Sequence, residues 1–371
     1  MKVLIVKTSS LGDVVHTLPA LTDAMQAIPG IRFDWIVEEA FAEIPTWHPA
    51  VNKVIPVALR RWRRHPLKAL RSGEWHAFRR QLQAARYNRI IDAQGLLKSA
   101  VLSVMAYGMR CGLSWASLRE PLAALAYQQR VQVAREQHAI TRLRQLFASV
   151  LGYSYYHVAP NYGLGRVRFT STANPNSANA ASRLQQLPQR SAVPMPYIVL
   201  LHGTVWPTKQ WPEADWIMLG RLANQASFAV YLPWGSGEEH QRAARIAGSL
   251  SRAKVLPQMN LSAIAATLSS AAGVVSVDTG LSHLAAALDV PAVVLYGATD
   301  PALTGAWGNR QKHLTAVFPC APCVRRTCRY RGPIMIPQPP CYGTLPAATI
   351  WEALRSSMQN NTATQRVLEH L

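Results

Sequence analysis

The sequence is short of acids. Its 371 residues carry 19 Asp and Glu against 39 Lys and Arg, a net charge of +20. That balance points to an anionic partner: nucleic acid, an anionic membrane face, or a phosphorylated substrate. Long apolar runs are also missing, and none approaches the ~20 residues a membrane helix needs. The opening segment has four apolar residues, Val3 to Val6, between Lys2 and Lys7. This is too short for the apolar region of a secretory signal and reads as a first buried strand, so the chain is expected to stay in the cytoplasm. Cysteine is scarce: five in a chain of this length do not make a secreted disulfide scaffold. There is no repeat at a solenoid period and no helix-turn-helix, RNP or zinc-finger pattern.

What is present is globular. Hydrophobic residues make up 49% and charged residues 16%. The length exceeds one ordinary core and suggests two domains. Short apolar runs alternate with helical patterns, which implies βαβ units and parallel sheets. In the first half, strands are expected at Val3–Val6, Phe33–Val37, Val54–Val57 and Arg89–Asp92, with helices at Asp13–Ala27, Trp75–Arg86 and His138–Leu151. Residues 170–196, rich in Ser, Asn, Ala and Pro, read as a linker. A second set follows, with strands at Tyr197–Leu201, Ala229–Leu232, Gly273–Val277 and Ala292–Tyr296, and helices at Pro212–Gln225, Glu238–Leu250, Leu261–Ser270 and Ser282–Leu288. The expected domains are therefore 1–169 and 197–345, followed by a C-terminal helix and tail over 346–371, with the helix at Pro346–Met358 and the last dozen residues frayed. Two such halves are expected to bind ligands in a crevice at their strand ends.

Three strand-to-helix turns carry candidate chemistry. In Lys7-Thr8-Ser9-Ser10-Leu11-Gly12-Asp13, Asp13 opens a helix. It is either an N-cap carboxylate or a general base held ionised by the helix dipole. Lys7 is either a contact for an anionic substrate or a solvated edge lysine. In Ser276-Val277-Asp278-Thr279-Gly280-Leu281-Ser282-His283, the backbone at Thr279 and Gly280 makes an anion site at a helix start, and Thr279 and His283 add side-chain donors. The plain alternative is a βα turn with a Ser cap. In His202-Gly203-Thr204-Val205-Trp206-Pro207-Thr208-Lys209, Lys209 can neutralise a phosphate leaving group and Thr204 can hydrogen-bond it, although a single Lys is more often a surface residue.

Two further clusters stand out. From Arg60 to Arg89 there are ten Lys or Arg and one acid, Glu74, beginning with Arg60, Arg61, Arg63 and Arg64. So one-sided a run favours an anionic ligand or membrane face over a merely solvated surface. Trp62 and Trp75 lie within it, at a lipid interface or in the core. Four thiols, Cys320, Cys323, Cys328 and Cys341, make either a metal site or reduced, partly buried cysteines, and only the CxxC half has ligand spacing. Cys111 lies in an apolar context and should be packed.

Taken together, KVLIVKTSSLGDVVHTLPALTDAMQAIPGI, FDWIVEEAFAEIP, VIPVALRRWRR, IIDAQGLLKSA, REPLA, LPWG, SVDTGLSHLAAALD and YGATDP resemble glycosyltransferase family 9. The resemblance covers most of residues 1–160 and 197–301 and is poor after about residue 305. It implies an α/β fold of the GT-B type, two Rossmann-like domains facing a cleft, and an inverting transferase with no cofactor and no catalytic metal. The implied donor is ADP-L-glycero-D-manno-heptose. The implied acceptor is Kdo-lipid A of the lipopolysaccharide inner core, met at the inner face of the inner membrane, with no nucleic-acid partner. Carried over residue by residue, the resemblance makes Asp13 the catalytic base and Lys209 the stabiliser of the departing phosphates. Asp278 would contact the heptose, Thr204, Thr279, Gly280 and His283 the diphosphate, Glu239 the ribose, and Met259 the adenine. Lys7, Arg60, Arg61, Arg63 and Arg64 would meet the acceptor.

Two alternatives stand beside this reading. One is a sister family 9 transferase acting on an already heptosylated core. The other, from a different class, is a non-catalytic basic protein that binds polyanions. The latter leaves Asp13, Lys209 and Asp278, each at a strand exit, without a role.

Overall fold

The computed structural model describes residues 1–164, 195–332 and 339–368. The chain divides into two compact units, Met1–Val167 and Arg168–Leu371. The expected linker lies outside the described residues up to residue 194.

The first unit is a six-stranded parallel sheet of β1 (Lys2–Val6), β2 (Arg32–Glu38), β3 (Val51–Val57), β4 (Arg86–Asp92), β5 (Tyr107–Leu113) and β6 (Gln129–Val131), in the order β3-β2-β1-β4-β5-β6. The second repeats the plan with β7 (Tyr197–Leu201), β8 (Ala229–Leu232), β9 (Ala253–Val255), β10 (Gly273–Val277), β11 (Ala292–Tyr296) and β12 (Gln311–Thr315), in the order β12-β11-β10-β7-β8-β9. In each sheet three strands run outward one way, and the chain then returns to the other side of the first strand. The winding reverses between β1 and β4 and between β7 and β10. Rossmann sheets share this order, and the crevice beyond the strand ends at such a reversal is where ligands bind.

The central strands are apolar runs buried on both faces, as parallel strands covered by helices must be: Val3 to Val6, Val274 and Val275, and Val293 to Leu295 are all fully buried. The helix Ala139–Leu151 seals the first sheet, with Phe147 6.2 Å from Phe33. Its buried Arg144 is neutralised by Asp23 at 2.6 Å. In the second unit Trp211 and Trp216 meet edge to face at 4.9 Å, and Trp211 donates its indole N–H to the Leu345 carbonyl. The C-terminal helix Ala347–Leu368 closes that core with Ile350, Trp351 and Leu354. It runs well past the expected end at Met358, through residues expected to be frayed. Among the described residues no helix is long and apolar enough to cross a membrane.

Candidate functional site

At the reversal in the first sheet, Lys7 directly follows β1 and the chain turns into the helix Leu11–Ala27. The helix starts two residues earlier than expected. Ser10 is its N-cap and Asp13 is the third helical residue. One carboxylate oxygen of Asp13, Oδ2, accepts the Ser10 N–H at 2.8 Å and the Ser10 hydroxyl at 2.7 Å. The other faces the Lys7 ammonium at 3.3 Å. Burial lifts the carboxyl pKa, but the Lys7 charge and the two Ser10 hydrogen bonds outweigh it and hold the group below the usual Asp value. With 43% of its side chain still exposed, Asp13 remains reachable. It is thus a capping acceptor and an ionised, accessible carboxylate at once.

The neighbouring strand fixes this turn. Lys7 Nζ donates to the Ala93 carbonyl, and the Thr8 and Ser9 amides both donate to Gln94 Oε1 at 3.1 Å. Gln94 is set in turn by Asp92, at the end of β4, whose Oδ1 takes the Gln94 and Gly95 amides at 2.9 Å and whose Oδ2 takes the Tyr127 hydroxyl at 2.6 Å. Sequence reasoning did not single out Asp92, Gln94 or Tyr127. The segment IIDAQG was visible, but its purchase on the β1 turn is made across 86 residues.

Beside Ser9 opens a cavity of about 530 Å³ lined by Arg60, Trp62, Arg63, Trp75 and Lys98. Lys98 Nζ lies 3.4 Å from Ser9 Oγ, joining the cavity to the Asp13 turn. The structure brings Arg60 and Arg63 to this space and does not bring Arg61 or Arg64. Arg61 is held instead in a fork between Glu39, at 3.1 Å, and Glu74, at 2.7 Å. Arg64 ends the short helix Leu59–Arg64 as an exposed side chain. Trp62 and Trp75 meet at 5.6 Å and pack on Phe78, so they form core and cavity wall together.

At the reversal in the second sheet, Lys209 and Asp278 meet. Lys209 sits in the turn Pro207–Lys209 after β7, and Asp278 directly follows β10. Lys209 Nζ is 2.6 Å from Asp278 Oδ2, with only 15% and 7% of the two side chains exposed. Thr299, after β11, donates to the same oxygen at 2.6 Å, and His283 Nε2 stands 3.9 Å from the other. Thr204 donates to the Asp278 carbonyl at 3.4 Å. The ammonium of Lys209 also lies over the Trp206 ring, 4.6 Å from its centroid, and Arg326 lies over the same ring at 5.4 Å. The helix starts at Gly280, with Thr279 as its N-cap, so the expected start at Ser282 is corrected. Its opening amides follow directly on Asp278, the arrangement in which a helix start can receive an anion.

Glu239 lies in the first turn of the helix Gly237–Gly248 and accepts the Gly235 amide at 2.7 Å. Its carboxylate crosses the β7 exit so closely that a Cβ on Gly203 would overlap it. Met259 is half-buried in the loop after β9, its sulfur 3.9 Å from the Thr267 hydroxyl oxygen, which donates to the Ala263 carbonyl. The Trp234 indole donates to the Leu256 carbonyl at 2.7 Å, tying the segment before the Glu239 helix to the loop that carries Met259. Thr299 and Arg326 are functional candidates that sequence reasoning missed.

Cys320, Cys323, Cys328 and Cys341 gather around one small apolar cavity near Thr208. Burial, reinforced by the other three sulfurs, pushes the Cys341 thiol up to about 11. Among the described residues no group of three or more His, Cys, Asp or Glu is arranged to hold a metal ion. Cys111 is fully buried, and burial pushes its thiol up to about 11.

A family model described as glycosyltransferase family 9 (heptosyltransferase) matches residues 75–333. The chain is 51% identical over 332 residues to lipopolysaccharide heptosyltransferase 1 of Pseudomonas aeruginosa, covering 89% of this chain and 88% of that protein. Its structure is similar to that of the E. coli heptosyltransferase WaaC with ADP, at a TM-score of 0.75 and 48% identity, covering 85% of this chain and 94% of that one. The E. coli protein with ADP-2-deoxy-2-fluoro heptose gives a TM-score of 0.73 at 47% identity with the same coverage.

Proposed function

Because the chain belongs to glycosyltransferase family 9, the heptosyltransferases, we propose that it moves L-glycero-D-manno-heptose from ADP-heptose to the Kdo of Kdo-lipid A, at the cytoplasmic face of the inner membrane. The chain is a glycosyltransferase acting in lipopolysaccharide core biosynthesis. The identity of the acceptor, the membrane location and the residue roles are our reading.

The observation that carries the reading is the state of Asp13: ionised, reachable and in the same turn as Ser9, which lines a cavity with Arg60, Arg63 and Lys98. An inverting transfer needs one base for the acceptor hydroxyl and one sink for the leaving diphosphate. Asp13 accepts the proton of the Kdo hydroxyl, and the hydroxyl oxygen attacks the anomeric carbon of heptose. The bond from that carbon to the diphosphate breaks, and ADP departs with the electron pair. Lys209 and the amides that open the helix at Gly280 meet the growing negative charge, which is where fixed donors contribute most. Asp278 holds Lys209 in place and accepts a hydroxyl of the heptose. Thr204, Thr279 and His283 bind the diphosphate, and Glu239 and Met259 bind the adenosine. Arg60, Arg63, Lys98 and Lys7 receive the phosphates and carboxylates of the acceptor head group.

The test is ADP release from ADP-heptose, with and without Kdo-lipid A. Acceptor-dependent release supports the reading. Release only with an acceptor that already bears a heptose moves the enzyme to the next step of the same pathway. Silence with both acceptors overturns it.

A further inference from the structure

The first unit carries an apolar outer face that its own fold does not use. On the helix Leu97–Val104, Leu97, Val101 and Val104 recur at the spacing of one helical face. On the adjacent 3₁₀ turn Pro121–Ala126, Leu122 and Leu125 recur at the three-residue spacing that gives such a turn one face. These five side chains are between 48% and 68% exposed. The inner sides of the two elements are already spent: Ala100 packs with Leu118, Ala123, Ala124 and Tyr127. The Leu97 amide donates to Glu120 at 2.8 Å, which brings the start of the helix against the turn. Scattered exposed apolar residues are ordinary, but five on the outer sides of two packed elements mark an interaction surface.

Charge identifies the occupant. From residue 93 to residue 136 the chain has Lys98, Arg110, Arg119, Arg130 and Arg135 against two acids, Glu120, which accepts the Leu97 amide, and Glu136. Arg119 and Arg130 are exposed beside the apolar face, and Arg130 lies over the exposed Trp115 ring at 5.8 Å. Lys98, on the same helix, lines the basic cavity with Arg60 and Arg63. The helix that carries part of the apolar face therefore also reaches the space assigned to the acceptor head group. A second copy of the chain would bring the same positive rim against itself. An anionic bilayer satisfies both features, since apolar side chains enter the acyl boundary while Arg and Lys meet lipid phosphates.

We infer that Leu97, Val101, Val104, Leu122 and Leu125 form the surface by which this chain docks on an anionic lipid bilayer. Docking there leaves a lipid acceptor's acyl chains in the membrane while its head group reaches the cavity beside Ser9. This deepens the reading above and rests on it for the acceptor being a lipid, but the docking itself can be measured without any turnover.

The experiment is flotation of the full chain with vesicles of phosphatidylethanolamine and phosphatidylglycerol, compared with phosphatidylcholine alone. The parent should float with the anionic vesicles. A Val101→Gln, Leu122→Gln, Leu125→Gln variant should partition roughly tenfold or more weakly, because its apolar contact is lost. Its melting temperature and its ADP release with a water-soluble Kdo acceptor should stay at parent values, while release with vesicle-embedded Kdo-lipid A falls. As a positive readout, Leu125→Trp should shift its emission to shorter wavelength on anionic vesicles. Parent-like flotation of the triple variant, or an unshifted Leu125→Trp spectrum, overturns the docking surface. So does a parent dimer that the triple substitution dissolves, since the face then belongs to a second copy. If the parent floats and the variant does not, yet neither releases ADP with any acceptor, the docking surface stands and the transferase reading fails.

Discussion

The Lys7 ammonium lies 3.3 Å from Asp13 Oδ1, and only 6% of the lysine side chain is exposed. A buried cation at the end of a central strand thus holds the charge of a reachable carboxylate in the next turn. Lys7 is anchored in turn by the Ala93 carbonyl, so it cannot swing away to follow a substrate phosphate without losing that bond. The geometry gives Lys7 an electrostatic task toward Asp13 alongside any contact with the acceptor.

The first prediction concerns that pair. Burial raises the Asp13 carboxyl pKa, while Lys7 and Ser10 lower it by more, so the acid limb of kcat/KM should lie below the ordinary Asp range. Asp13→Asn should cost about 10²- to 10⁴-fold in kcat, the usual worth of a general base. Lys7→Met removes the lowering charge and should move the acid limb to higher pH. The sign for folding is the same: the contribution of Asp13 is present above its unfolded pKa and is lost as pH falls through the lower folded one. A pH-rate profile of Lys7→Met that overlays the parent's would separate Lys7 from the charge of Asp13.

A second prediction follows from Lys209 and Asp278. With the ammonium 2.6 Å from a nearly buried carboxylate, Lys209→Ala removes the partner of Asp278 and, on the proposed reading, the phosphate sink as well. Loss of one preorganised donor to a developing charge typically costs about 10²- to 10³-fold in kcat. Thr299→Val leaves the Lys209 contact in place and should cost far less, mostly in donor KM. Steady-state kinetics on the two variants check this, and equal losses would mean that Thr299 shares the task given to Lys209.

Much of this was legible in the sequence. The strands at Tyr197–Leu201, Ala229–Leu232, Gly273–Val277 and Ala292–Tyr296 have the bounds their apolar runs predict. The strands that escaped lie away from the sheet centres. β12 reads Gln-Lys-His-Leu-Thr and β5 contains two glycines and an arginine, so neither shows an apolar run, and β6 and β9 are three residues long. Asp13, Lys209 and Asp278 stood out because each lies in a short motif at a strand exit. Gln94 and Thr299 did not, because each reaches the site from a neighbouring strand's exit, 85 to 86 and 21 residues away from its partner. The fork that holds Arg61 was hidden for the same reason: Glu39 lies 22 residues from it, outside the basic run.

A third prediction uses Gly203. A Cβ at this position would overlap the Glu239 carboxylate, the far end of a flexible side chain, so Gly203→Ala should displace Glu239 and leave the strand intact. Melting temperature should change little. The KM for ADP-heptose should rise severalfold while kcat holds, the mark of an interaction made equally in ground and transition states. Glu239→Ala should give the same pattern, and the double variant should be no worse than either single one. An additive loss in the double variant would place the effect of Gly203 elsewhere.

The basic segment supplies the last prediction, because the structure gives its arginines different surroundings. Arg63 lines the cavity beside Ser9, whereas Arg61 is shared between Glu39 and Glu74. Arg63→Ala should raise the acceptor KM and make kcat/KM less sensitive to salt, since one screened attraction for an anionic ligand is gone. Arg61→Ala should keep the parent's salt dependence. Its effect should come through the wall it braces: the Trp62 indole also binds Glu74, at 2.9 Å, and a loosened Glu74 lets Trp62 move in the cavity. Arg61→Lys keeps the charge but cannot fork across two carboxylates, so it should resemble Arg61→Ala. Arg63→Lys should recover most of the parent's acceptor KM. Measuring kcat and acceptor KM for the four variants across a salt series separates the two tasks, and a salt response in Arg61→Ala equal to that in Arg63→Ala would return Arg61 to direct acceptor binding.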